Sequence, residues 1–408
     1  MKPTKKNKLV FRKTVLVIAS TYPRWPDDPE PAFVHTLCKH IDNEFEIHVL
    51  CPHSRGSAIA EVVDGITIHR FRYAPEPMET LIAGGGIMSN LELSPWKWLL
   101  VPCFLLGMIV ALLRIIPKIN PTLIHAHWII PQGIALWIAG KFRKLPPIVL
   151  TSHGGDLLGL QNPLLLKLKS RALRIASHVT VVSNSMLGEA KRLGTDSSQL
   201  SVAPMGVNLS AFKPTDNDAN SRVPGRILFV GRLVKGKGLT YLLSALPLIN
   251  KQYPDAHIVV AGGGTELRHL QTQARELGLI RKVAFLGPVL HNDLPDLYRE
   301  AAIFVAPFVS AEGLGLVTLE AICCGCPALV GDVPAVRDIF PVEYQEKCIV
   351  NPLDTTHLSA RIVEILQQPP DIKDLRAYVI SRFGWEACAS RYDQIYREIL
   401  RAEGGERV

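Results

Sequence analysis

Short runs of aliphatic and β-branched residues alternate with helix-length segments along almost the whole chain of 408 residues. We predict strands over 15–19, 46–51, 66–70, 123–125, 148–151 and 178–182 in the first half. In the second half we predict them over 226–230, 257–261, 282–286, 303–306 and 328–330. Strands separated by helices build parallel sheets with crossover connections, so the pattern places the chain in the α/β class.

The alternation is interrupted between residues 202 and 225 by VAPMGVNLSAFKPTDNDANSRVPG. Prolines, glycines and a polar run make this segment a connector. We therefore predict two doubly wound domains, over 13–205 and 206–380, followed by a closing helix within 381–408. Ligands of such domains bind beyond the carboxyl ends of the strands, so functional residues are expected in the loops there.

The composition is that of a folded protein and limits its partners. Hydrophobic residues make up 48% of the chain and charged residues 20%, which excludes a disordered chain. The net charge of +8 favours anionic partners such as nucleotides or an acidic membrane surface, and we predict no nucleic-acid partner. No secretory h-region follows the basic N-terminus, and the eight cysteines are scattered. We therefore expect a cytoplasmic protein with free thiols.

An apolar segment, residues 96–116, raises the question of membrane contact. It is free of charged residues only from 99 to 113, which is shorter than the roughly 18–20 residues that span a bilayer. Three interpretations stay open: a buried or partly buried helix, an interfacial helix with Trp96 and Trp98 at the headgroups, or a membrane span. The interfacial helix would attach the protein to the inner face of an anionic membrane.

The first loop of the second half, GRLVKGKGL, places Arg232 and Lys237 among three glycines. Glycines expose backbone N–H groups, and two cations ahead of a helix suit a diphosphate. A solvated basic turn is the alternative.

The second loop, VVAGGGTEL, resembles the start of a dinucleotide-binding fingerprint because Gly262 and Gly264 follow a strand. The third glycine would fall at Leu267, and no acidic residue ends a neighbouring strand at the expected spacing. We interpret the loop as a plain strand-to-helix turn. An NAD-dependent oxidoreductase therefore stays as the weaker functional alternative.

The third loop, SAEGLGLVTLEAICCGCPALV, carries Glu312 and Glu320 on either side of a glycine turn. A helix beginning near Val317 would direct the backbone amides of residues 315–317 at an anion. Carboxylates accept hydrogen bonds from hydroxyl groups, so one glutamate would bind a ribose and the other a hexose. With phosphates on the amides between them, the loop predicts a nucleotide-sugar ligand.

Several motifs, in this order, resemble the retaining glycosyltransferases of family 4, which have the GT-B fold of two Rossmann-like domains facing each other across a cleft. Glu312 and Glu320 fit the E-x7-E motif of that family, and VGRLVKGKG is similar to its phosphate-binding loop. VAPMGVNLSAFKP resembles the interdomain segment, while LIHAHW, TSHGGDL and VVSNS resemble landmarks of the N-terminal domain. FGWEACASRYDQIYREI resembles the last helix, so the resemblance covers nearly the whole chain.

The resemblance implies a function for each part. Residues 13–205 would form the acceptor-side domain and residues 206–380 the nucleotide-sugar-binding domain, with the helix in 381–408 crossing back to the first. The enzyme would move a hexose from a nucleotide-diphosphate sugar with retention, without metal or cofactor. The acceptor would be a glycan or a lipid-linked molecule in polysaccharide or envelope glycoconjugate synthesis. A non-catalytic sugar-nucleotide-binding protein is a further alternative.

The resemblance also assigns the donor-binding residues. Arg232 and Lys237 would neutralise the diphosphate, Glu320 would bind the ribose, and Glu312 would contact the transferred sugar. Backbone groups complete the donor site, at Val289 for the base and at Gly313, Leu314, Gly315, Leu316 and Val317 for the phosphates.

A catalytic group follows from the same resemblance. His153 would lie near the reacting sugar and act together with Glu312, Arg232 and Lys237. His127 and Asp156 are acceptor-side candidates, although His127 also fits a hydrogen-bonded interior position. His125 is expected to point into the core.

The loop after the first strand departs from the family. Many members have glycines there, whereas STYPRWPDDPEPAF has none, so backbone approach to the diphosphate from this side is not expected. Arg24 would compensate or serve the acceptor. Gly84, Gly85 and Gly86 form either a mobile acceptor loop or a plain connector. Cys323, Cys324 and Cys326 fall where the family has small or apolar residues, and we predict that they pack in the core and bind no metal.

Overall fold

The computed structural model describes residues 12–25, 28, 32–82, 86–215, 222–310 and 312–403. Within these residues the first half is built on one sheet of eight strands in the order β3-β4-β2-β1-β5-β6-β7-β8, in which only β3 is antiparallel to its neighbour. The strands are β1 (Lys13–Ile18), β2 (Phe45–Pro52), β3 (Ala60–Val63), β4 (Ile66–Phe71), β5 (Leu123–His127), β6 (Ile148–Ser152), β7 (His178–Val181) and β8 (Leu200–Val202).

The helices of the first half cover both faces of this sheet. Every residue of β5 and β6 is buried for that reason. Helix starts follow local sequence signals: Asn162 precedes a helix and its side chain accepts a hydrogen bond from the Leu164 N–H at 2.9 Å. The α-helices are α1 (Phe33–His40), α2 (Gly86–Leu93), α3 (Leu100–Ile119), α4 (Ile134–Ala139), α5 (Gly155–Leu158), α6 (Pro163–Arg174) and α7 (Leu187–Arg192).

The second half contains a parallel sheet of six described strands in the order β11-β10-β9-β12-β13-β14. Counted from β9, this is the doubly wound order in which the chain reverses direction across the sheet between its first and fourth strands. The strands are β9 (Val223–Val230), β10 (His257–Ala261), β11 (Val283–Gly287), β12 (Ala301–Ala306), β13 (Ala328–Gly331) and β14 (Ile349–Val350).

The helices of the second half alternate with these strands and end in two long C-terminal elements. They are α8 (Leu239–Gln252), α9 (Leu267–Glu276), α10 (Leu294–Glu300), α11 (Leu316–Cys323), α12 (Pro334–Arg337), α13 (Val342–Cys348), α14 (Thr355–Gln367), α15 (Lys373–Phe383) and α16 (Trp385–Glu403).

Helix α16 packs against the first half. The Tyr396 hydroxyl lies 2.5 Å from His125 Nδ1, and the Tyr392 hydroxyl donates to the Ala203 carbonyl at 2.9 Å. His125 is fully buried, which confirms its predicted core position. The first sheet ends at Val202 and the second begins at Val223, while the division of the chain after residue 205 stays a prediction.

Helix α3 is partly buried and leaves an apolar surface exposed. Its inner face packs Phe104, Met108 and Leu112 against the core. By length and composition alone, the helical stretch Pro95–Ile119 is long and apolar enough to cross a membrane. Of its most apolar 18 residues, 33% are buried inside the protein. We name its exposed residues, with those of neighbouring α2, the apolar face: Met88, Leu93, Trp96, Trp98, Leu99 and Leu106.

The three clustered cysteines are fully buried around the end of α11, which confirms core packing. Burial raises the pKa of Cys323 and of Cys326 to about 12, so both thiols stay protonated at neutral pH. In the part of the chain that the structure describes, no group of three or more His, Cys, Asp or Glu side chains has the arrangement of a metal site.

Candidate functional site

The strand order of the second sheet brings two of the predicted loops together. The switch point lies between β9 and β12, so the loops beyond their carboxyl ends border one crevice. They contact each other directly, since the Val309 N–H donates to the Gly236 carbonyl at 3.0 Å. The sequence-predicted residues Arg232, Lys237 and Glu312 all lie on this pair of loops.

Lys237 and Glu312 form an ion pair across the crevice. The Lys237 ammonium also lies 4.7 Å from the centre of the Phe308 ring. Each side chain keeps about a fifth of its surface exposed, at 18% for Lys237 and 21% for Glu312. The cation predicted to neutralise a diphosphate is thus held by the carboxylate predicted to contact the sugar.

Arg232 reaches from the second half to the first. Its Nη1 donates to the Ser89 hydroxyl at 3.2 Å, and Ser89 lies on helix α2 beside the apolar face. Gly86 begins this helix, so the third glycine of the run is not a loop residue. Gly84 and Gly85 lie outside the described residues. The donor-side loop and the apolar face are therefore neighbours.

The glycine turn leads into α11 as the sequence predicts. Gly315 has a φ of 82° and precedes the first helical residue, Leu316. A residue with a side chain is strained in this conformation, which explains the glycine. Leu314 is buried beneath the turn, and Val317 lies in the first turn of the helix. The first amides of a helix have no partner within the helix, and those of α11 follow Glu312 by only a few residues.

Glu320 is buried, at 7% exposure, and both of its oxygens are hydrogen-bonded. Oε2 accepts from the Tyr298 hydroxyl at 3.1 Å, and Oε1 lies 2.9 Å from His291 Nε2. Burial lowers the pKa of His291, but the hydrogen bond and charge of Glu320 outweigh it and leave the pKa above its ordinary value.

On the first-half side of the cleft, His153 lies among aromatic rings. Its ring centre is 5.0 Å from that of Phe33 and 4.7 Å from that of Trp128. Its Nε2 is 3.0 Å from His127 Nδ1. Burial lowers the pKa of His153 to about 3, so its imidazole is neutral at physiological pH and contributes hydrogen bonds, not positive charge.

Asp156 and His127 are both buried behind His153 and do not line the open cleft. The Asp156 carboxylate accepts hydrogen bonds from the Ile129 N–H at 2.6 Å, the Ser152 hydroxyl at 2.8 Å and the His153 N–H at 3.2 Å. It therefore ties the loop after β5 to the loop after β6. Direct acceptor contact by either residue stays a prediction, and their burial favours a positioning role.

The two halves approach each other closely at two glycines. A Cβ built on Gly154 would lie 2.7 Å from Gly313 Cα, and one built on Gly313 would collide with the His153 carbonyl oxygen. The Asp338 carboxylate adds two hydrogen bonds across the interface. It accepts from the backbone N–H of Asn184 at 2.6 Å and from the side-chain amide of Asn184 at 3.1 Å. The backbones that carry Glu312 and His153 thus lie close together where the two halves meet.

The remaining predicted loops take simpler positions. Gly262 and Gly264 pack tightly on the backbone of residues 231 and 233, which accounts for the glycines without a dinucleotide. Val289 is half-buried beyond the end of β11, on the same side of the sheet as the crevice. Arg24 is paired with Asp28, with Nη2 2.6 Å from Oδ1, and residues 26, 27 and 29–31 of its loop lie outside the described residues.

Sequence reasoning missed several residues of the site: Ser89, Phe212, His291 and Tyr298. His291 lies in the loop that we assigned to the base, and Phe212 lies in the connector, so the sequence analysis had already singled out the segments that carry both residues. Nothing in a single sequence links residues 212, 291, 298 and 320, because the link is made by the fold.

Comparison with known proteins agrees with this geometry. Residues 217–382 match the sequence profile of the "Glycosyl transferases group 1" family, and residues 32–211 match that of "Glycosyltransferase Family 4". The D-inositol 3-phosphate glycosyltransferase of Mycobacterium sp. (strain KMS) is 31% identical to this chain over 319 residues, which cover 69% of this chain and 70% of that protein.

A second relative and a solved structure extend the comparison. The GDP-mannose-dependent alpha-(1-6)-phosphatidylinositol monomannoside mannosyltransferase of Mycolicibacterium smegmatis is 28% identical over 236 residues, which cover 54% of this chain and 61% of that protein. The sucrose-phosphate synthase (tll1590) of Thermosynechococcus elongatus superposes with a TM-score of 0.77 at 22% identity, covering 96% of this chain and all of that one. At that identity the superposition supports the fold alone.

Proposed function

The chain belongs to glycosyltransferase family 4 and has the GT-B fold, and from this premise we propose that it moves a hexose from a nucleotide-diphosphate sugar to a lipid-linked or glycan acceptor. It is a nucleotide-sugar-dependent glycosyltransferase, so the oxidoreductase and the non-catalytic binding protein are set aside. The observation that carries the proposal is the crevice at the β9–β12 switch point. There Lys237 and Glu312 form an ion pair, Arg232 follows β9, and Glu320 lies on α11, the helix that begins just after the loop of Glu312.

The donor diphosphate would lie on the α11 amides between Arg232 and Lys237. Lys237 would then exchange Glu312 for a phosphate oxygen, because a diphosphate carries more negative charge than one carboxylate. The freed Glu312 would accept a hydroxyl of the transferred sugar, and Glu320 would accept the ribose hydroxyls. Charge on the departing nucleoside diphosphate is stabilised by these fixed groups, which is how such a site lowers a barrier.

Transfer would take place against His153 with retention of anomeric configuration. A neutral imidazole within hydrogen-bonding reach of the sugar orients it without adding charge. In the front-face course that the family suggests, a donor phosphate oxygen takes the proton of the acceptor hydroxyl while the new glycosidic bond replaces the bond to the phosphate. Neither metal nor cofactor has a role in this proposal.

The acceptor that fits best is lipid-linked, with the protein docked on the inner face of an anionic membrane. Helix α2 supports this choice, because Ser89 contacts Arg232 while Met88 and Leu93 on the same helix belong to the apolar face. An exposed apolar surface at the rim of an active site suits a lipid. A related mannosyltransferase acts on a phosphatidylinositol monomannoside, as its name states.

A donor panel tests the proposed function. The protein is incubated with UDP-, GDP- and ADP-sugars and, separately, with NAD, and we record slow donor hydrolysis and the midpoint of thermal unfolding. One base is expected to raise the midpoint and to support hydrolysis. Stabilisation by NAD and by no nucleotide-sugar would contradict the proposal.

A further inference from the structure

Each oxygen of the Glu320 carboxylate already has one hydrogen-bond partner. Oε2 accepts the Tyr298 hydroxyl and Oε1 bonds His291, while only 10% of the side chain is exposed. A ribose presents two adjacent hydroxyls and needs acceptor positions that point into the cleft. A carboxylate has about four acceptor positions, but so little of this one is exposed that the departure of one partner would give a ribose the most direct access to it.

The two partners of Glu320 differ in how easily they can leave. Tyr298 is fully buried beneath α11, and its ring packs 5.6 Å from that of Phe304. The His291 side chain is 58% exposed, in a one-turn helix between β11 and α10. Moving a buried tyrosine would open a cavity, whereas His291 can turn into solvent at little cost. His291 is therefore the partner that can leave most readily and make room for a ribose hydroxyl.

Phe212, from the connector between the two halves, holds His291 in this position. Its ring centre lies 5.0 Å from that of His291 and 6.1 Å from that of Tyr298. Phe212 is almost fully buried, and its N–H donates to the Asn208 carbonyl at 2.9 Å, so it is a fixed wall. His291 thus sits between a rigid aromatic ring and the carboxylate that the donor needs.

We propose that His291 gates the donor site, occupying the ribose position on Glu320 in the free enzyme and leaving it when a nucleoside diphosphate binds. The inference rests on the proposed function, which makes Glu320 the ribose-binding residue. His291 then sets the threshold for donor binding, because every donor must first break its bond to Glu320.

The charges around His291 give the gate a direction with pH. Among the described residues, Glu320 on α11 is the charged group that faces it, Tyr298 on α10 lies behind the same carboxylate, and Phe212 is neutral. Glu320 holds the pKa of His291 above its ordinary value, so the histidine is charged at pH 6 and loses its proton on the alkaline side of about 6.5. The charged form is the stronger competitor, so donor affinity should rise with pH.

Calorimetric binding of UDP, GDP and ADP at pH 6, 7 and 8 tests the gate in the wild type, His291→Ala and His291→Gln. The phosphates also titrate in this range, so the informative quantity is the difference between wild type and variant. We expect His291→Ala to bind the preferred nucleotide about tenfold more tightly at pH 6, with the gap narrowing by pH 8. The His291→Gln variant keeps a neutral hydrogen-bond donor, so its nucleotide affinity at pH 6 should lie between those of the wild type and His291→Ala.

The matched control is His269→Ala, an exposed histidine on α9 of the same half. It should bind like the wild type at each pH. Two results would overturn the gate alone, provided that the wild type binds a nucleotide. In the first, His291→Ala binds no more tightly than the wild type at pH 6. In the second, the difference in affinity between the two proteins does not change with pH. If neither protein binds any of the three nucleotides, the proposed function fails and the gate fails with it.

Discussion

Glu312 and Glu320 lie eight positions apart in the sequence but in different electrostatic surroundings. Glu312 is paired with a lysine at the rim of the crevice, whereas Glu320 is buried between a tyrosine and a histidine. Their placement on either side of a glycine turn could be predicted from the sequence, because the strand before the turn and the helix after it are recognisable. Their partners were not, since Lys237, His291 and Tyr298 reach them through the fold.

The histidines of the first half make stability depend on pH. Burial lowers the pKa of His125 and His153 to about 3, and that of His127 well below its ordinary value. In the unfolded chain they titrate near 6.5, so between about pH 3 and 6.5 the unfolded state binds more protons. Stability should therefore fall as the pH drops below 6.5, by about 1.4 kcal/mol per pH unit for each such histidine.

Unfolding followed at pH 7, 6 and 5 checks this dependence. His125→Gln keeps a polar group for Tyr396 and Thr151. In this variant the free energy of unfolding should change less steeply with pH, by the contribution of one histidine. His257→Gln, at a partly exposed histidine of the second half, serves as the control. An unchanged slope in His125→Gln would show that His125 is not held neutral by burial.

At the scale of elements, the sequence predicted the long, buried strands and missed the short ones at the sheet edges. Strands β3, β8 and β14 have two to four residues and no run of buried apolar side chains. Helix α2 was missed because it begins at the last of three consecutive glycines, which favour a loop. The loops that carry the site were predicted, because ligands of doubly wound sheets bind beyond strand ends.

The close approach of the two halves gives a prediction for Gly313. A methyl group there would collide with the carbonyl oxygen of His153, so Gly313→Ala should disturb the alignment of donor and acceptor sides. We expect turnover to fall by on the order of a hundredfold, while free nucleotide binding changes little. Initial rates and calorimetry measure both quantities.

The control for this change is Gly188→Ala, on α7, where an added methyl meets no atom within 4 Å. It should leave turnover at the wild-type value. Equal effects of both substitutions, or full activity of Gly313→Ala, would mean that the approach at Gly313 does not matter for transfer.

At the scale of the whole molecule, the apolar face lies beside the loop that carries Arg232. Helix α2 joins them through Ser89 and Arg232. The sequence left open whether the 96–116 segment is buried or interfacial, because hydropathy does not show which face of a helix meets the core. The exposed side chains Trp98, Leu99 and Leu106 favour membrane docking, which stays our proposal.

Sedimentation with vesicles containing anionic phospholipid at low salt tests the docking proposal. The double substitution Trp96→Gln and Trp98→Gln should weaken binding by about tenfold or more, since two indoles leave the interface. Phe142→Gln removes another exposed aromatic ring, beyond the end of α4, and should bind as the wild type does. A wild type that ignores the vesicles, or equal binding by all three proteins, would rule out docking by this face.

The central claim is that the crevice between β9 and β12 binds a nucleotide-sugar, with Glu320 on the ribose and Glu312 on the hexose. Calorimetry with the nucleoside diphosphate chosen by the donor panel tests it on Glu320→Ala, Glu312→Ala and the exposed control Glu343→Ala. We predict that Glu320→Ala loses about tenfold or more in affinity, because hydrogen bonds to a charged group are lost. Glu312→Ala should keep the affinity of the control and lose turnover, and an equal loss of affinity in Glu312→Ala and Glu320→Ala would contradict the account.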